Sequence, residues 1–369
     1  MERYLAQQVR ADLARKMVFL AGPRQVGKTT LARSLVGDRP GYLNWDVPAD
    51  REAILRGQLP LAPLLALDEI HKHRDWRALL KGLWDGRAAG QQILVTGSAR
   101  LDFYRHGGDS LQGRYHFLRL HPLSVAELGI SDAEAFRALL SLGGFPEPFL
   151  GGSETEARRW SREYRVRLVQ EDVRDLERVA DLGRLERLML RLPELVGSPL
   201  SLNALSEDLQ VSHRAVSHWV EILERLYAVF RVPPFGTDAI RAVKKAQKHY
   251  HLDWSLVPEP GARFENLVAA HLLKWVHHEQ DTQGREVELR YVRDVDGREV
   301  DFVLVERGQP LEFIEAKLSA RDVPPALRHL KAKFPQAKAT LVVAGAGIPT
   351  RTLDGIETRP AWDYLGGLV

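Results

Sequence analysis

Cysteine is absent from the 369-residue sequence. The chain therefore has no disulfide, no thiol nucleophile and none of the common cysteine zinc sites. A surplus of one charge sign is also missing, since 52 lysine and arginine residues face 49 aspartate and glutamate residues. A net charge of +3 is too small to indicate a nucleic-acid-binding protein. Any such site therefore has to be sought in local clusters of basic residues.

Long hydrophobic runs are missing as well. The run before Asp68 is interrupted by proline and is too short to cross a bilayer. The charged, amphipathic N-terminal segment lacks the apolar core of a signal peptide. With 44% hydrophobic and 27% charged residues, the composition excludes disordered and collagen-like chains. We expect a soluble cytoplasmic protein of about two or three domains, without a membrane partner.

Short apolar runs at 17–21, 64–70 and 92–99 alternate with segments of helical spacing. Buried strands that alternate with helices predict a parallel α/β sheet. In such sheets, polar residues at the carboxyl ends of the strands lie where ligands bind.

The first of these runs is followed by a phosphate-binding motif. Residues 22–29 fit GxxxxGK[ST] at every fixed position. Glycines allow backbone N–H groups to turn toward phosphates, the lysine reaches the terminal phosphates, and the threonine hydroxyl helps to hold Mg²⁺. We therefore predict ATP and Mg²⁺ as cofactors. The residues predicted to hold the nucleotide are Gly22, Pro23, Arg24, Gln25, Val26, Gly27, Lys28, Thr29 and Thr30.

Two acidic residues, Asp68 and Glu69, end the second apolar run. We predict Asp68 as a metal ligand together with Thr29, and Glu69 as the base that polarises the attacking water. The alternative is a helix N-cap that follows a strand.

The middle of the chain is helical in pattern. A long stretch to about 179 has balanced arginines and acids, which indicates an ion-paired solvated face. Residues 185–230 have the spacing of a helix-turn-helix, with Ser201 and Ser212 as N-caps and a wing-like hairpin after it. In the alternative interpretation, this region only packs against the nucleotide-binding domain. The predicted DNA contacts are Arg214 and the basic residues Arg241, Lys244, Lys245 and Lys248.

The last third has the predicted order αβββαβ, with turns at Asp296-Gly297 and Gly308-Gln309. Strand alternation puts Asp301 and Glu299 on one face, and Glu315 and Lys317 on one face of the next strand. Two carboxylates and a lysine that converge on a hairpin are typical of a Mg²⁺-dependent nuclease, with Asp301 and Glu315 as metal ligands and Lys317 stabilising a developing hydroxide. Exposed ion pairs are the alternative.

The motifs GPRQVGKTTL, ALDEIHK, LVTGSAR, SLQGRYHFLRLHPLS and GGFPEP together resemble the AAA+ family of predicted bacterial and archaeal ATPases with a C-terminal nuclease-like domain. The resemblance implies that Ser98 occupies a sensor position and that Arg114 reaches the nucleotide of a neighbouring subunit. Such an arginine requires a homo-oligomer, for which a ring hexamer is the candidate. From the residues alone, Arg114 is only an arginine that follows a glycine, and a surface ion pair is the alternative. The C-terminal order is similar to the PD-(D/E)XK nuclease core, in which Glu265 takes the place of a further acid.

The predicted fold is α/β, in three parts: an AAA+ ATPase domain with a helical lid at about 1–180, a winged-helix domain at about 185–240, and a PD-(D/E)XK nuclease-like domain at about 250–369. We expect an ATP-driven protein that remodels DNA, with branched DNA such as Holliday junctions as a candidate substrate. One alternative is a nucleotide-controlled signalling or defence switch whose C-terminal domains bind a partner. Another is an ATP-dependent nuclease without branch specificity.

Overall fold

The computed structural model describes residues 1–38, 40–97, 111–173, 181–236, 247–294, 297–319, 322–345, 347 and 349–369. The chain divides into two compact units. The first unit comprises Met1–His121 and Arg225–Tyr227, and the second comprises Pro122–Glu224 and Ala228–Val369. Four predicted site residues lie outside the described residues: Ser98, Arg241, Lys244 and Lys245.

The first unit contains a five-stranded sheet in the order β2-β3-β4-β1-β5, and all of its pairings are parallel. The predicted parallel α/β architecture is confirmed here. The strands are β1 (Met17–Ala21), β2 (Tyr42–Asn44), β3 (Leu64–Asp68), β4 (Gln92–Thr96) and β5 (Tyr115–Arg119). The helices are α1 (Ala6–Leu13), α2 (Lys28–Val36), α3 (Pro48–Leu55) and α4 (Trp76–Asp85).

Strand β1 is buried on both faces, which explains its unbroken apolar sequence. Met17, Phe19 and Ala21 pack into one hydrophobic cluster, whereas Val18 and Leu20 pack into another. Successive side chains of a strand point to opposite faces, so one run of five residues supplies two cores. The polar residues at the carboxyl ends of β3 and β4 consequently lie at one edge of a rigid sheet.

The second unit begins with helices. Ser201 and Ser212 accept hydrogen bonds from the backbone N–H groups of Ala204 and Ala215, which confirms both predicted N-caps. The helices of this part are α5 (Val125–Leu128), α6 (Ala133–Leu142), α7 (Pro146–Gly151), α8 (Glu154–Arg167), α9 (Leu182–Arg191), α10 (Leu202–Asp208) and α11 (His213–Arg225). A wider π-helical segment, Leu168–Val173, continues α8. The ion pairs expected on α8 are present and exposed.

Two short antiparallel strands follow α11, β6 (Val229–Val232) and β7 (Lys248–His251). They lie where the sequence predicts a wing. The assignment of this region as a winged helix stays a prediction.

The C-terminal part shows the predicted element order αβββαβ within a six-stranded sheet, β12-β13-β11-β10-β9-β8. The tight turn between β9 and β10 is formed by Arg307 and Gly308, both with positive φ, one residue earlier than predicted. The elements are α12 (Pro260–Gln283), β8 (Val287–Arg293), β9 (Glu299–Glu306), β10 (Gln309–Lys317), α13 (Pro325–Lys333), β11 (Lys338–Val343), β12 (Arg351–Leu353), β13 (Ile356–Pro360) and α14 (Ala361–Gly366).

Candidate functional site

The predicted phosphate loop connects β1 to the N-terminus of α2. Gly22 has a φ of 149°, and a Cβ atom at this position would lie 2.3 Å from the carbonyl oxygen of Leu120. Only glycine fits such a close approach between two backbone segments. Gly27, with a φ of 100°, precedes the first turn of α2. The backbone N–H groups of the loop therefore lie next to the N-terminus of α2, where the helix dipole is positive. This arrangement binds phosphate.

Lys28 is the first residue of α2 and is buried. Its ammonium group donates hydrogen bonds to the carbonyl oxygens of Gly22 and Pro23, at 3.0 and 2.7 Å. These bonds hold the positive charge against the loop, where it can interact with the phosphates of a nucleotide.

Asp68 is held by three hydroxyl groups. Thr29 and Tyr42 donate to its Oδ2 atom at 2.7 and 2.6 Å, and Thr96 donates to its Oδ1 atom at 2.5 Å. All three donors are neutral, so they fix the orientation of the carboxylate without placing a positive charge beside it. The Thr29 hydroxyl and the Asp68 carboxylate are adjacent hard oxygen donors, which is the ligand chemistry that Mg²⁺ prefers. Thr29 and Asp68 therefore fit the predicted metal.

Tyr42 and Thr96 were not predicted from the sequence. Parallel register puts Thr96 directly beside Asp68, and Tyr42 two residues before the position that pairs with Asp68. The guanidinium group of Arg33 lies 4.6 Å from the centre of the Tyr42 ring. Burial raises the pKa of Tyr42, and the hydrogen bond to Asp68 raises it further, so the phenol stays protonated as a donor.

Glu69, the predicted base, has a left-handed backbone with a φ of 58°. Non-glycine residues adopt this conformation at a cost, and such positions cluster at functional sites. Its carboxylate is 3.5 Å from the Lys72 ammonium, which also pairs with Asp46 at 2.6 Å. Burial raises the pKa of Glu69, while Lys72 and Lys28 act in the opposite direction. A carboxylate with a raised pKa is a better proton acceptor.

Arg114, predicted to reach a neighbouring subunit, is paired within the chain. Its Nε atom is 3.1 Å from Oδ1 of Asp85, and its side chain is 30% exposed. The pair is accessible to solvent, and such pairs contribute little to stability. The guanidinium can therefore change partner at low cost.

The N-terminal segment also supports the loop, which the sequence pattern did not reveal. The guanidinium group of Arg3 is buried and donates to the carbonyl oxygens of Val26, at 2.6 Å, and His121, at 2.5 Å. The hydroxyl of Tyr4 donates to the carbonyl oxygen of Arg119 at 2.6 Å. These contacts tie the phosphate loop to the segment after β5.

In the second unit, four carboxylates and two lysines form a second candidate site, which we call the carboxylate cluster. The residues predicted for the nuclease-like site, Asp301, Glu315, Lys317 and Glu265, are all present in it. Its members are Glu265 from α12, Glu299 and Asp301 from β9, Glu315 and Lys317 from β10, and Lys248 from β7.

The predicted convergence of β9 and β10 is present. The Asp301 N–H donates to Oε2 of Glu315 at 3.2 Å, and the Ala316 N–H donates to Oδ2 of Asp301 at 3.0 Å. The ammonium of Lys317 is 2.7 Å from Glu315 and 3.9 Å from Asp301. Two carboxylates and a lysine thus share one face of the sheet.

Lys248, predicted as a DNA contact, lies inside this cluster, and its side chain is only 1% exposed. Its ammonium is 2.6 Å from Glu299, 3.1 Å from Glu265 and 3.7 Å from Asp301. The Tyr250 hydroxyl also donates to Glu265, at 2.7 Å. In this arrangement the charge of Lys248 is directed at carboxylates and not at the protein surface.

Burial dominates the electrostatics of the cluster. Burial raises the pKa of Asp301, and the neighbouring Glu315 raises it further. Burial also raises the pKa of Glu265, to which Asp301 adds. For Lys248, burial alone would lower the pKa, but Glu265, Asp301 and Glu299 raise it above its ordinary value. The lysine is therefore a permanent cation at neutral pH.

The donor chemistry of Asp301 and Glu315 fits Mg²⁺, which binds one or two carboxylates and completes its shell with water and phosphate oxygens. Within the part of the chain that the structure describes, no three histidine or acidic side chains are arranged to hold a metal ion.

Arg214 is exposed near the start of α11. The opposite face of the helix is buried and includes Val216, Trp219 and Val220. The predicted DNA contact is thus accessible. Among the described residues, no helix is long and apolar enough to cross a membrane.

Three family models match consecutive parts of the chain. Residues 14–129 match a model described as an AAA domain. Residues 133–259 and 260–361 match two models described as domains of unknown function (DUF8612 and DUF4143). The first match, the phosphate loop and the parallel sheet support an AAA-type ATPase domain in this part of the chain.

Two mycobacterial proteins are similar to this chain over most of its length. The uncharacterized proteins Rv2008c of Mycobacterium tuberculosis and Mb2031c of Mycobacterium bovis are each 25% identical over 364 residues, covering 93% of this chain and 80% of theirs. Among solved structures, a RuvB variant of Thermotoga maritima matches with 19% identity and a TM-score of 0.31, covering 62% of this chain and 89% of that one. A TM-score this low does not establish a shared fold.

Proposed function

We propose that this protein hydrolyses ATP with Mg²⁺ and uses the reaction to remodel DNA as a homo-oligomer. The observation that carries the ATPase part is the hydrogen-bonding of Asp68. Its carboxylate is fixed by Thr29, Tyr42 and Thr96 directly beside the phosphate loop. Mg²⁺ bound there supplies positive charge to the phosphates.

The residues of the chain have distinct roles in this proposal. The phosphate loop binds the nucleotide and Lys28 neutralises its terminal phosphates. Glu69 accepts a proton from the attacking water, for which its raised pKa suits it. Arg114 leaves Asp85 and reaches the nucleotide of a neighbouring subunit, which makes hydrolysis depend on assembly.

The DNA part of the proposal depends on the second unit. Its support is the exposed Arg214 on a helix with Ser212 as its N-cap, followed by the strand pair β6–β7, as in a winged helix. The carboxylate cluster, in the element order αβββαβ, supports a nuclease-like domain of PD-(D/E)XK type. Asp301 and Glu315 would hold Mg²⁺, and Lys317 would stabilise the charge that develops at the phosphate.

The experiment that tests the proposal measures ATP turnover with and without DNA. We expect DNA to stimulate turnover, and a labelled four-way junction to bind more tightly than duplex of equal length. Arg214→Ala should weaken DNA binding and reduce its salt dependence, with the exposed Arg328→Ala as a control on the same unit. A turnover that is indifferent to every form of DNA would contradict the proposal.

A second candidate is a nucleotide-controlled switch whose second unit binds a partner without cutting DNA. The pairing of the cluster carboxylates with Lys248 and Lys317 favours it, because paired carboxylates are less available to a metal. Slow basal hydrolysis without DNA stimulation, together with no Mg²⁺- or Mn²⁺-dependent cleavage of linear or branched DNA, would support the switch.

A further inference from the structure

Lys248 is an unusual member of the carboxylate cluster because its side chain is buried. Lysine side chains are almost always exposed in folded proteins unless they are paired. Three carboxylates surround its ammonium, those of Glu299, Glu265 and Asp301. Burial of an ammonium is costly unless carboxylates pair with it, and this one has three carboxylate partners within 4 Å.

The backbone of Lys248 is fixed on two sides. It pairs with Val232 in the β6–β7 ladder and forms a bridge with Pro199. The adjacent Gln247 carbonyl accepts a hydrogen bond from the Leu200 N–H at 2.8 Å. The backbone that carries the ammonium is therefore held in paired strands and does not belong to an exposed loop.

Lys317 differs in this respect. Its side chain is 44% exposed, and it lies beside Asp301 and Glu315. A cation that approaches from the solvent can reach Asp301 and Glu315 after a change of the Lys317 rotamer that leaves the ammonium at the edge of the cluster, at little cost. The side of the cluster open to a metal ion is consequently the side of Lys317.

The net charge of the cluster limits the number of metal ions that it can accept. When all groups are ionised, the four carboxylates and two lysines leave two negative charges uncompensated. Arg293 approaches Glu299 only at 3.9 Å and is half exposed, so it contributes little. One divalent ion would balance the cluster, and a second would give it an excess of positive charge in a buried place, which is costly.

We propose that the buried ammonium of Lys248 takes the place of a second metal ion and limits the carboxylate cluster to one divalent ion, held by Asp301 and Glu315. This inference rests on the metal-binding role of these two residues in the proposed function. It does not require that the site cuts DNA.

The test measures Mn²⁺ binding to the 369-residue chain without nucleotide, by the loss of the free-ion signal in electron paramagnetic resonance. The difference between the wild type and Asp301→Asn defines the ions bound by the cluster. Four chains form a charge series: the wild type, Lys248→Met, Glu299→Gln and the double variant. Circular dichroism and thermal unfolding show which variants are folded.

We expect one cluster-bound ion in the wild type. Lys248→Met should bind Mn²⁺ about tenfold more tightly or take up a second ion, because it removes a positive charge about 4 Å away. Glu299→Gln should bind more weakly, and the double variant should return toward the wild-type affinity. If Lys248→Met does not fold, the double variant should still bind more tightly than Glu299→Gln.

Cluster binding that appears only after Lys248→Met would overturn the inference, since Lys248 would then exclude the one ion that it assigns to Asp301 and Glu315. Two cluster-bound ions in the wild type, an affinity order that does not follow charge, or no cluster binding in any variant would overturn it. A failure to cleave DNA bears only on the proposed function, so the two ideas fail separately.

Discussion

The two candidate sites hold their central aspartates in different ways. Asp68, in the first unit, accepts hydrogen bonds from three neutral hydroxyl groups. Asp301, in the second unit, lies within 4 Å of two ammonium groups and accepts a backbone N–H bond. Both carboxylates are buried, and both end or line a strand of a sheet.

The difference concerns charge. Hydroxyl groups orient a carboxylate and leave its negative charge to attract an added cation, whereas ammonium groups orient it and neutralise it together. The first arrangement suits a site that receives Mg²⁺ with each nucleotide. The second suits a site whose charge is already balanced in part, and in which a metal competes with the protein's own cations.

The largest expected effect is on the ATPase rate, and it should differ between a lysine of the phosphate loop and a lysine of the carboxylate cluster. Lys28→Met should lower the basal ATPase rate at least about 100-fold, because the terminal phosphates lose their neutralising charge. Lys317→Met removes the same group from the carboxylate cluster and should leave basal turnover unchanged. Steady-state phosphate release measures both. An equal loss in Lys317→Met would contradict the separation of the two chemistries.

The next effect concerns stability in acid, which should be controlled by buried histidines of the second unit. Burial lowers the pKa of His249 to about 4, although its ring bonds to the Leu192 carbonyl oxygen. Burial and the neighbouring His249 lower the pKa of His251 to about 3. Since the unfolded chain binds these protons from about pH 6.5 downward, stability is lost as the pH falls from 6.5 toward the folded pKa.

We expect the free energy of unfolding of the second unit to fall by about 2 kcal/mol for His249 alone between pH 7 and pH 5. His249→Gln should unfold with a smaller dependence on pH than the wild type in this range. The exposed His213→Gln is the matched control and should keep the wild-type slope. Thermal unfolding at a series of pH values measures the effect, and equal slopes in all three chains would refute this origin.

These two regions also differ in how far the sequence predicts them. The phosphate loop is contiguous, and Asp68 and Glu69 follow one apolar run, so a local pattern is sufficient to propose the residues of the first candidate site. Tyr42 and Thr96 were missed because their contacts depend on the register between strands that are distant in the sequence. Register of this kind has no local signature.

In the second unit, strand alternation predicted that Asp301, Glu315 and Lys317 share a face, and the hairpin β9–β10 brings them together. The sequence pattern groups Lys248 with a basic run because its neighbours in sequence are basic. Its position among carboxylates depends on the packing of β7 against α12 and β9, which a local charge pattern does not contain. A buried lysine is visible only once its partners are placed.

An effect of intermediate size concerns the solvent-accessible ion pair between Arg114 and Asp85, which contrasts with the buried ion pairs of Lys248. If Arg114 acts on a neighbouring subunit, Arg114→Ala should lower ATP turnover about tenfold at concentrations where the chain assembles, with nucleotide binding retained. Asp85→Asn frees the arginine and should not lower turnover. Turnover against protein concentration, with mass measured by light scattering, checks both. A wild-type rate in Arg114→Ala would leave only the surface ion pair.

The smallest expected effect tests whether the hydroxyl groups around Asp68 matter for metal binding. Tyr42→Phe removes one donor from Oδ2 and keeps the ring beside Arg33. Thr29 and Thr96 still hold the carboxylate, so we expect the Mg²⁺ concentration for half-maximal ATPase to rise only about threefold, with little change in kcat. Tyr115→Phe is the matched control, since its ring stacks on Phe19 away from Asp68. An unchanged Mg²⁺ requirement in Tyr42→Phe would mean that two hydroxyl groups orient Asp68 as well as three, and that its neutral surroundings, more than the number of donors, distinguish it from Asp301.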